Sequence, residues 1–340
     1  MHRNVEKETK LTPYRLISGN RTALMGFCIL WIVFYHSSVE VSFLPLRIFK
    51  GTAYLALDMF IFVSGMGTFN SLRSHPAPEF FHRRLKKLIP IWWSYLLVRI
   101  VLEYVRFGRI HSFLEILGFA SFTGFWAQLP MQGNWYVYGI MFFYLIAPAI
   151  YGVITESRNR ARTALVLVLG AVVISLPFLG HFMLQVFARL PQFIMGMLFS
   201  AYMKEKTADR KMRILCAGSF LAGLVLIVLA ERSSLPFHYK LVHGFFWYPC
   251  TLASAPLAWY LSKGLERMRH SRIRFLHTGL EKTGLAALEI LFATDYIFGG
   301  TYDWTDGGLR SWAILLIGIA IGFVYYYVIE KARKLWPKKA

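Results

Sequence analysis

Acidic residues are scarce in this sequence. Asp and Glu number 18 against 38 Lys and Arg, and only 16% of the 340 positions are charged at all. So little charge excludes an ordinary soluble domain. Cysteine is scarcer still. Cys28, Cys216 and Cys250 each sit inside an apolar run, without the paired spacings of a disulfide framework or a zinc site. A glycine-rich phosphate loop, an HExxH pair, a dinucleotide fingerprint and a Gly-x-Ser-x-Gly elbow are all missing, which removes the corresponding nucleotide, metalloprotease and serine-hydrolase readings. No tract alternates apolar and polar residues as a barrel strand does. The first twenty residues are polar and the first apolar run is long and has no cleavage site. It reads as an uncleaved signal-anchor.

What fills the chain is apolar: 56% of its residues are hydrophobic. Runs of about 17–22 apolar residues recur, the length a helix needs to cross a bilayer, and a helix satisfies its own backbone polar groups in lipid. The expected fold is an all-α integral membrane protein, a polytopic bundle of about ten transmembrane helices with both termini cytoplasmic. The expected spans are 21–39, 51–70, 88–107, 134–152, 163–180, 184–203, 213–231, 241–262, 284–300 and 310–329. They divide the chain into a cytoplasmic N-terminal segment (1–20), a membrane domain (21–330) and a basic cytoplasmic tail (331–340). The formal net charge of +20 would direct a soluble protein to nucleic acid. Here the cations lie in short loops and report topology first, so the expected partner is the lipid bilayer and not nucleic acid. With ten spans and the N-terminus inside, basic residues of inner segments outnumber those of outer segments about four to one. Segment 111–132 is apolar but broken by Ser, Thr, Gly, Gln and Pro. Counting it as a span would destroy that asymmetry, so it is expected to be re-entrant or to lie on the outer surface. No internal repeat of the inverted-transporter kind is evident.

The polar residues left inside the spans are the candidates for chemistry. His36 lies near the outer end of the first span, Arg21 at its inner end. A titratable imidazole in a membrane helix costs free energy unless it has a partner or a task. Asp58 is the one charge in the second apolar run. Its depth differs from that of His36 by only about 6 Å at the helical rise, so a His–Asp pair is expected. Such a carboxylate would fix the imidazole tautomer for a general base; the alternative is an ion pair that locks two helices. Ser64, Gly65 and Gly67 read as small residues for close helix packing. In Arg83-Arg84-Leu-Lys86-Lys87-Leu-Ile-Pro90 four cations gather at a membrane entrance. They set topology, and Arg84 with Lys87 could also share a helical face as a phosphate site. Trp135 and Tyr136 suit an interfacial belt. Arg99 and Glu103 have the spacing of a helical ion pair. Arg189, Gln192, Glu289 and Asp295 are further intramembrane polar groups, each with a structural alternative.

Taken together, the runs from Leu24 to His36 and from Asp58 to Gly65, the Arg83–Pro90 segment, and Trp135 with Phe143, Tyr144 and Pro148 resemble the acyltransferase 3 family of bacterial integral membrane acyltransferases. The resemblance is in register over residues 21–150. It implies a stand-alone enzyme of the bacterial inner membrane without an appended hydrolase-like domain. That enzyme would move an acyl group, commonly acetyl, from cytosolic acyl-CoA to a sugar hydroxyl of an envelope or exported glycan, with no metal. The family's first-span histidine falls on His36 and its basic inner motif on Arg84 and Lys87. The resulting site expectation is His36 (as general base or as covalent acyl carrier), Asp58 and Arg21 for catalysis, Arg83, Arg84 and Lys87 for the acyl-CoA, and Trp135 and Tyr144 for substrate. Three departures stand out. The family's first-span arginine falls on Met25, with Arg21 one turn earlier. The second cation of the basic motif is Lys87, which lacks the bidentate fork of arginine. The acidic residue expected after the span-four Trp is Ile140. The rival reading is a polytopic transporter or glycan flippase with His36 and Asp58 as a proton relay.

Overall fold

A computed structural model describes residues 12–131, 133–298 and 308–335. Residues 1–11 and 336–340, parts of the expected terminal segments, and the last two positions of the expected ninth span lie outside the described residues. The fold is all-helical, about 80% helix, and no strand occurs among the described residues.

In chain order the helices are α1 (Pro13–Gly19), α2 (Arg21–His36), α3 (Leu44–Gly51), α4 (Tyr54–Ser74), α5 (Ala77–Phe107), α6 (Phe113–Ala120), α7 (Trp135–Glu156) and α8 (Arg160–Ser175). A 3-10 turn follows, and then α9 (Leu184–Phe187), α10 (Leu190–Tyr202), α11 (Arg210–Arg232), α12 (Phe237–Val242), α13 (Trp247–Arg269), α14 (Arg274–Leu285), α15 (Ala287–Phe298) and α16 (Leu309–Leu335). Their ends follow the local sequence. Thr12 accepts from the Arg15 N–H ahead of Pro13, Asn134 caps α7 through the Tyr136 N–H, and Asp209 caps α11 through the Met212 N–H. Gly108, at φ +62°, ends α5 in the left-handed conformation that glycine adopts without strain.

Seven helices are long and apolar enough to cross a membrane: α4, α5, α7, Arg160–Phe178, Leu184–Tyr202, α11 and α16. They mark a multi-pass membrane protein. The other three expected spans coincide with helices that fall short of that test. α2 has sixteen residues and is bent 68° from α1 at Asn20. Asn20 donates to the Leu16 carbonyl and to Glu266 and accepts from His277, so three helices share that break. α13 is long enough, but Lys263, Glu266, Arg267 and Arg269 occupy its last turns. α15 has only twelve residues. Segment 111–132 contains the eight-residue α6, about 12 Å long and far short of a ~30 Å hydrocarbon core. A Ser112–Glu115 capping box opens it, and the Ser112 backbone N–H and hydroxyl hold the Glu115 carboxyl below the usual carboxylate range. Trp92 and Trp93 of α5 donate to its last carbonyls.

The bundle has a centre and a rim. In α4 and in Leu184–Tyr202, 78% of the apolar window is buried, against 11% in Arg160–Phe178 and 17% in α11. The rim helices turn leucine and valine outward, Leu165, Leu169, Leu215 and Val225 among them, as lipid-facing helices do. The centre packs backbone to backbone. A Cβ on Gly65 of α4 would collide with the Phe193 carbonyl of α10, and one on Gly196 with the Phe62 carbonyl. Gly26 and Gly284 close α2 onto α14 in the same way. The small-residue reading of Gly65 therefore holds.

Candidate active site

A cavity of about 190 Å³ runs beside α2, α4, α5, α7 and α15. At one end it is lined by Arg21, Arg84, Lys87, Tyr144 and Glu289, and at the other by Asn134, Trp135 and His36. The basic end is built around Gly67. Arg84 Nη2 donates to the Gly67 carbonyl at 3.3 Å, and a Cβ on Gly67 would lie 2.9 Å from Arg21 Nη1. The Arg84 guanidinium rests 5.0 Å over the Tyr144 ring and 5.4 Å over Phe80. Lys87 follows one turn later on the same face of α5. Three cations against the single carboxylate of Glu289 leave this end positive among the described residues. Arg21 Nε is buried there without a hydrogen-bond partner among those residues. Such a pocket suits an anion with several oxygen acceptors.

The placement corrects two expectations about cations. Arg21 and His36 are the first and last residues of α2, about 22 Å apart along the helix axis. Arg21 therefore cannot donate to an oxyanion formed at His36; it belongs with Arg84 and Lys87. Arg83 does not line the cavity. It pairs with Glu79 at 2.9 Å, and its side chain is 56% exposed.

At the other end, His36 has an exposed side chain and lines three cavities. The expected His36–Asp58 pair is not formed. Asp58 is fully buried, lines none of these cavities, and has its Oδ1 3.2 Å from Arg189 Nε. The reason is helical register. Asp58, Phe62 and Gly65 share one face of α4, the face pressed on Leu184–Tyr202, whereas Leu57, Phe60 and Ser64 face the cavity. Arg189 in turn lies 4.8 Å from the Trp135 ring and 4.0 Å from the Trp247 ring, and donates to the Gln185 carbonyl.

A different acid adjoins His36. Asp295 of α15 shares a small cavity of about 60 Å³ with His36, Asn134 and Thr294. Its carboxylate accepts from Tyr95 OH at 2.9 Å and from Asn134 Nδ2 at 3.3 Å. The sequence signal is an acid within an apolar helix, shared with Glu289. The proximity of α15 to α2 has no such signal. A second cavity of about 270 Å³ shares His36 and Trp135 with the first but none of its cations, and is lined by Tyr35, Tyr54, Gln185, Arg189 and Trp247 among others. Among the described residues no three His, Cys, Asp or Glu side chains gather as a metal site.

Comparison with curated proteins and with solved structures finds no match. The family model described as an acyltransferase domain matches residues 23–279, three quarters of the chain. That stretch carries His36, Arg84, Lys87, Trp135 and Tyr144, though neither Arg21 nor Asp295. With its polytopic apolar helices and a cavity joining a basic cluster to a histidine, the chain belongs to the acyltransferase 3 family.

Proposed function

We propose that the protein transfers an acyl group, most simply acetyl, from cytosolic acyl-CoA to a sugar hydroxyl of an envelope or exported glycan. It would do so in the bacterial inner membrane, as a ten-helix bundle with both termini in the cytoplasm. The three crossings beyond the seven long apolar helices would be the segments 21–39, 241–262 and 284–300, to which α2, α13 and α15 contribute. The observation that carries the reading is that Arg21, Arg84 and Lys87 line one end of a narrow cavity and His36 the other.

In this reading the CoA phosphates meet Arg21, Arg84 and Lys87, with Tyr144 backing Arg84. The extended pantetheine arm follows the apolar wall of Met25, Ile29 and Ile91, and brings the thioester to His36. The acceptor hydroxyl gives its proton to His36 as its oxygen attacks the thioester carbonyl. The carbon–sulfur bond breaks, and the proton passes on to the departing CoA thiolate. Asp295, held by Tyr95 and Asn134, shares a small cavity with His36 and in this reading serves as its orienting partner. Asp58 serves indirectly, by neutralising Arg189 beneath Trp135. A proton-relay transporter would need His36 and Asp58 in contact, and the Asp58–Arg189 pair leaves that reading without its relay.

The test is loss of acetyl-CoA thioester by purified protein in nanodiscs, with and without an extract of envelope glycan. Acceptor-dependent loss is expected. Arg84→Ala should raise the KM for acetyl-CoA about tenfold, the loss of one charge-assisted phosphate contact. Folded protein that consumes no thioester under any of these conditions would sink the enzyme reading and revive the transporter.

A further inference from the structure

His36 has two approaches, and their chemistry differs. The cavity that leads to the basic cluster carries three cations against one acid. The second cavity carries aromatic rings, an amide and two further histidines, His181 and His238. We infer that this second cavity is the acceptor subsite, and that it takes a neutral pyranose whose reacting end bears no carboxylate or phosphate. The inference rests on the acyl-transfer reading above.

Position comes first. His36 and Trp135 line both cavities, so an imidazole shared by them is open to a hydroxyl from one and a thioester from the other. No other described histidine lines both. A general base needs that placement, within hydrogen-bond reach of the proton it removes.

The walls come second. Tyr35, Tyr54, Trp135 and Trp247 offer flat apolar surface edged with polar atoms. Tyr35 and Tyr54 join their hydroxyls at 2.6 Å. A pyranose has the matching character, with C–H faces to lie on rings and hydroxyls around its edge. The Gln185 side chain projects into the cavity and makes no hydrogen bond to a described residue, so both halves of its amide remain for a ligand's hydroxyls.

Charge decides the class. Arg189 is the one Lys or Arg lining this cavity, and its charge is already answered. Asp58 pairs with it at 3.2 Å, the Gln185 carbonyl accepts from Nη1, and the Trp135 and Trp247 rings lie 4.8 and 4.0 Å from the guanidinium. An anionic sugar or a phosphate entering here would lose water and gain no uncompensated cation. A neutral ring loses nothing by that.

The experiment splits the envelope-glycan extract by anion exchange. Neutral and acidic fractions then serve as acceptor probes for wild type and Gln185→Ala in nanodiscs, with acetyl-CoA as donor. The neutral fraction is expected to support turnover. Gln185→Ala should raise the half-saturating concentration of that fraction about tenfold, one well-placed polar contact, while the KM for acetyl-CoA stays within about twofold and reports an intact fold. Turnover with the acidic fraction alone would overturn the inference. So would a Gln185→Ala variant whose acceptor dependence is that of wild type. Absence of turnover with both fractions in wild type would instead overturn the acyl-transfer reading, and this inference with it.

Discussion

Asp58 and Asp295 exchange roles between the sequence and the fold. Both are acids within apolar helices, Asp295 with Glu289 on the same one, and depth in the bilayer favours Asp58 as the partner of His36. Depth does not fix the face of a helix. The i, i+4, i+7 register that buries Gly65 against Phe193 also turns Asp58 to Arg189, and leaves the surroundings of His36 to an acid far along the chain. Arg21 was misplaced for a related reason. It is close to His36 in sequence, yet a full helix separates them. His36, Arg84 and Lys87 line one cavity, and each stands in a short local motif whose spacing one helix preserves. Asp295→Asn keeps the shape and removes the charge. Its kcat should fall about 10- to 100-fold, the usual cost of losing an orienting partner, with the KM for acetyl-CoA unchanged. A rise in KM with kcat preserved would make Asp295 a purely structural residue.

At the scale of elements, the junction of α4 with Leu184–Tyr202 does two things. Gly65 and Gly196 bring the backbones together, and the buried Asp58–Arg189 pair ties the two segments beside that contact. Small residues announce such a contact in the sequence, because only they permit it. Its ion pair is not announced, since nothing local links positions 58 and 189. A buried pair of this kind is costly to halve. Asp58→Ala should destabilise by about 3–5 kcal/mol, because the guanidinium remains without its counter-charge. The double variant Asp58→Ala, Arg189→Met should recover much of that loss. Thermal unfolding in detergent reads both. A double variant as unstable as the sum of its single changes would show that the two side chains are not coupled.

At the scale of the whole molecule, the ten apolar runs were legible by length, and seven returned as long apolar helices. The remaining three are short, bent or charged at one end, and they bring residues to the site beside those of α4, α5 and α7. α2 ends on His36, α13 begins with Trp247, and α15 carries Glu289 and Asp295. α2 reaches spanning length only together with α1 across the bend, α15 has twelve residues, and Trp, Tyr, Pro and Ser dilute the apolar residues of α13. The charge asymmetry of the loops makes a separate prediction about orientation. Lys206 and Glu231 are exposed at opposite ends of α11. In intact cells an impermeant maleimide should label Glu231→Cys, and should reach Lys206→Cys only after permeabilisation. The reverse pattern would invert the topology. Of the native thiols, Cys28 and Cys250 are buried and Cys216 is half-buried, so the unsubstituted protein gives the background.

The account stands on His36 as the point where donor and acceptor meet. Its most direct test is acceptor-dependent thioester loss by His36→Ala beside wild type, in protein shown to be folded. A fall of at least about a hundredfold is predicted, the contribution expected of a general base. Turnover at the wild-type rate in His36→Ala would contradict the account at its centre.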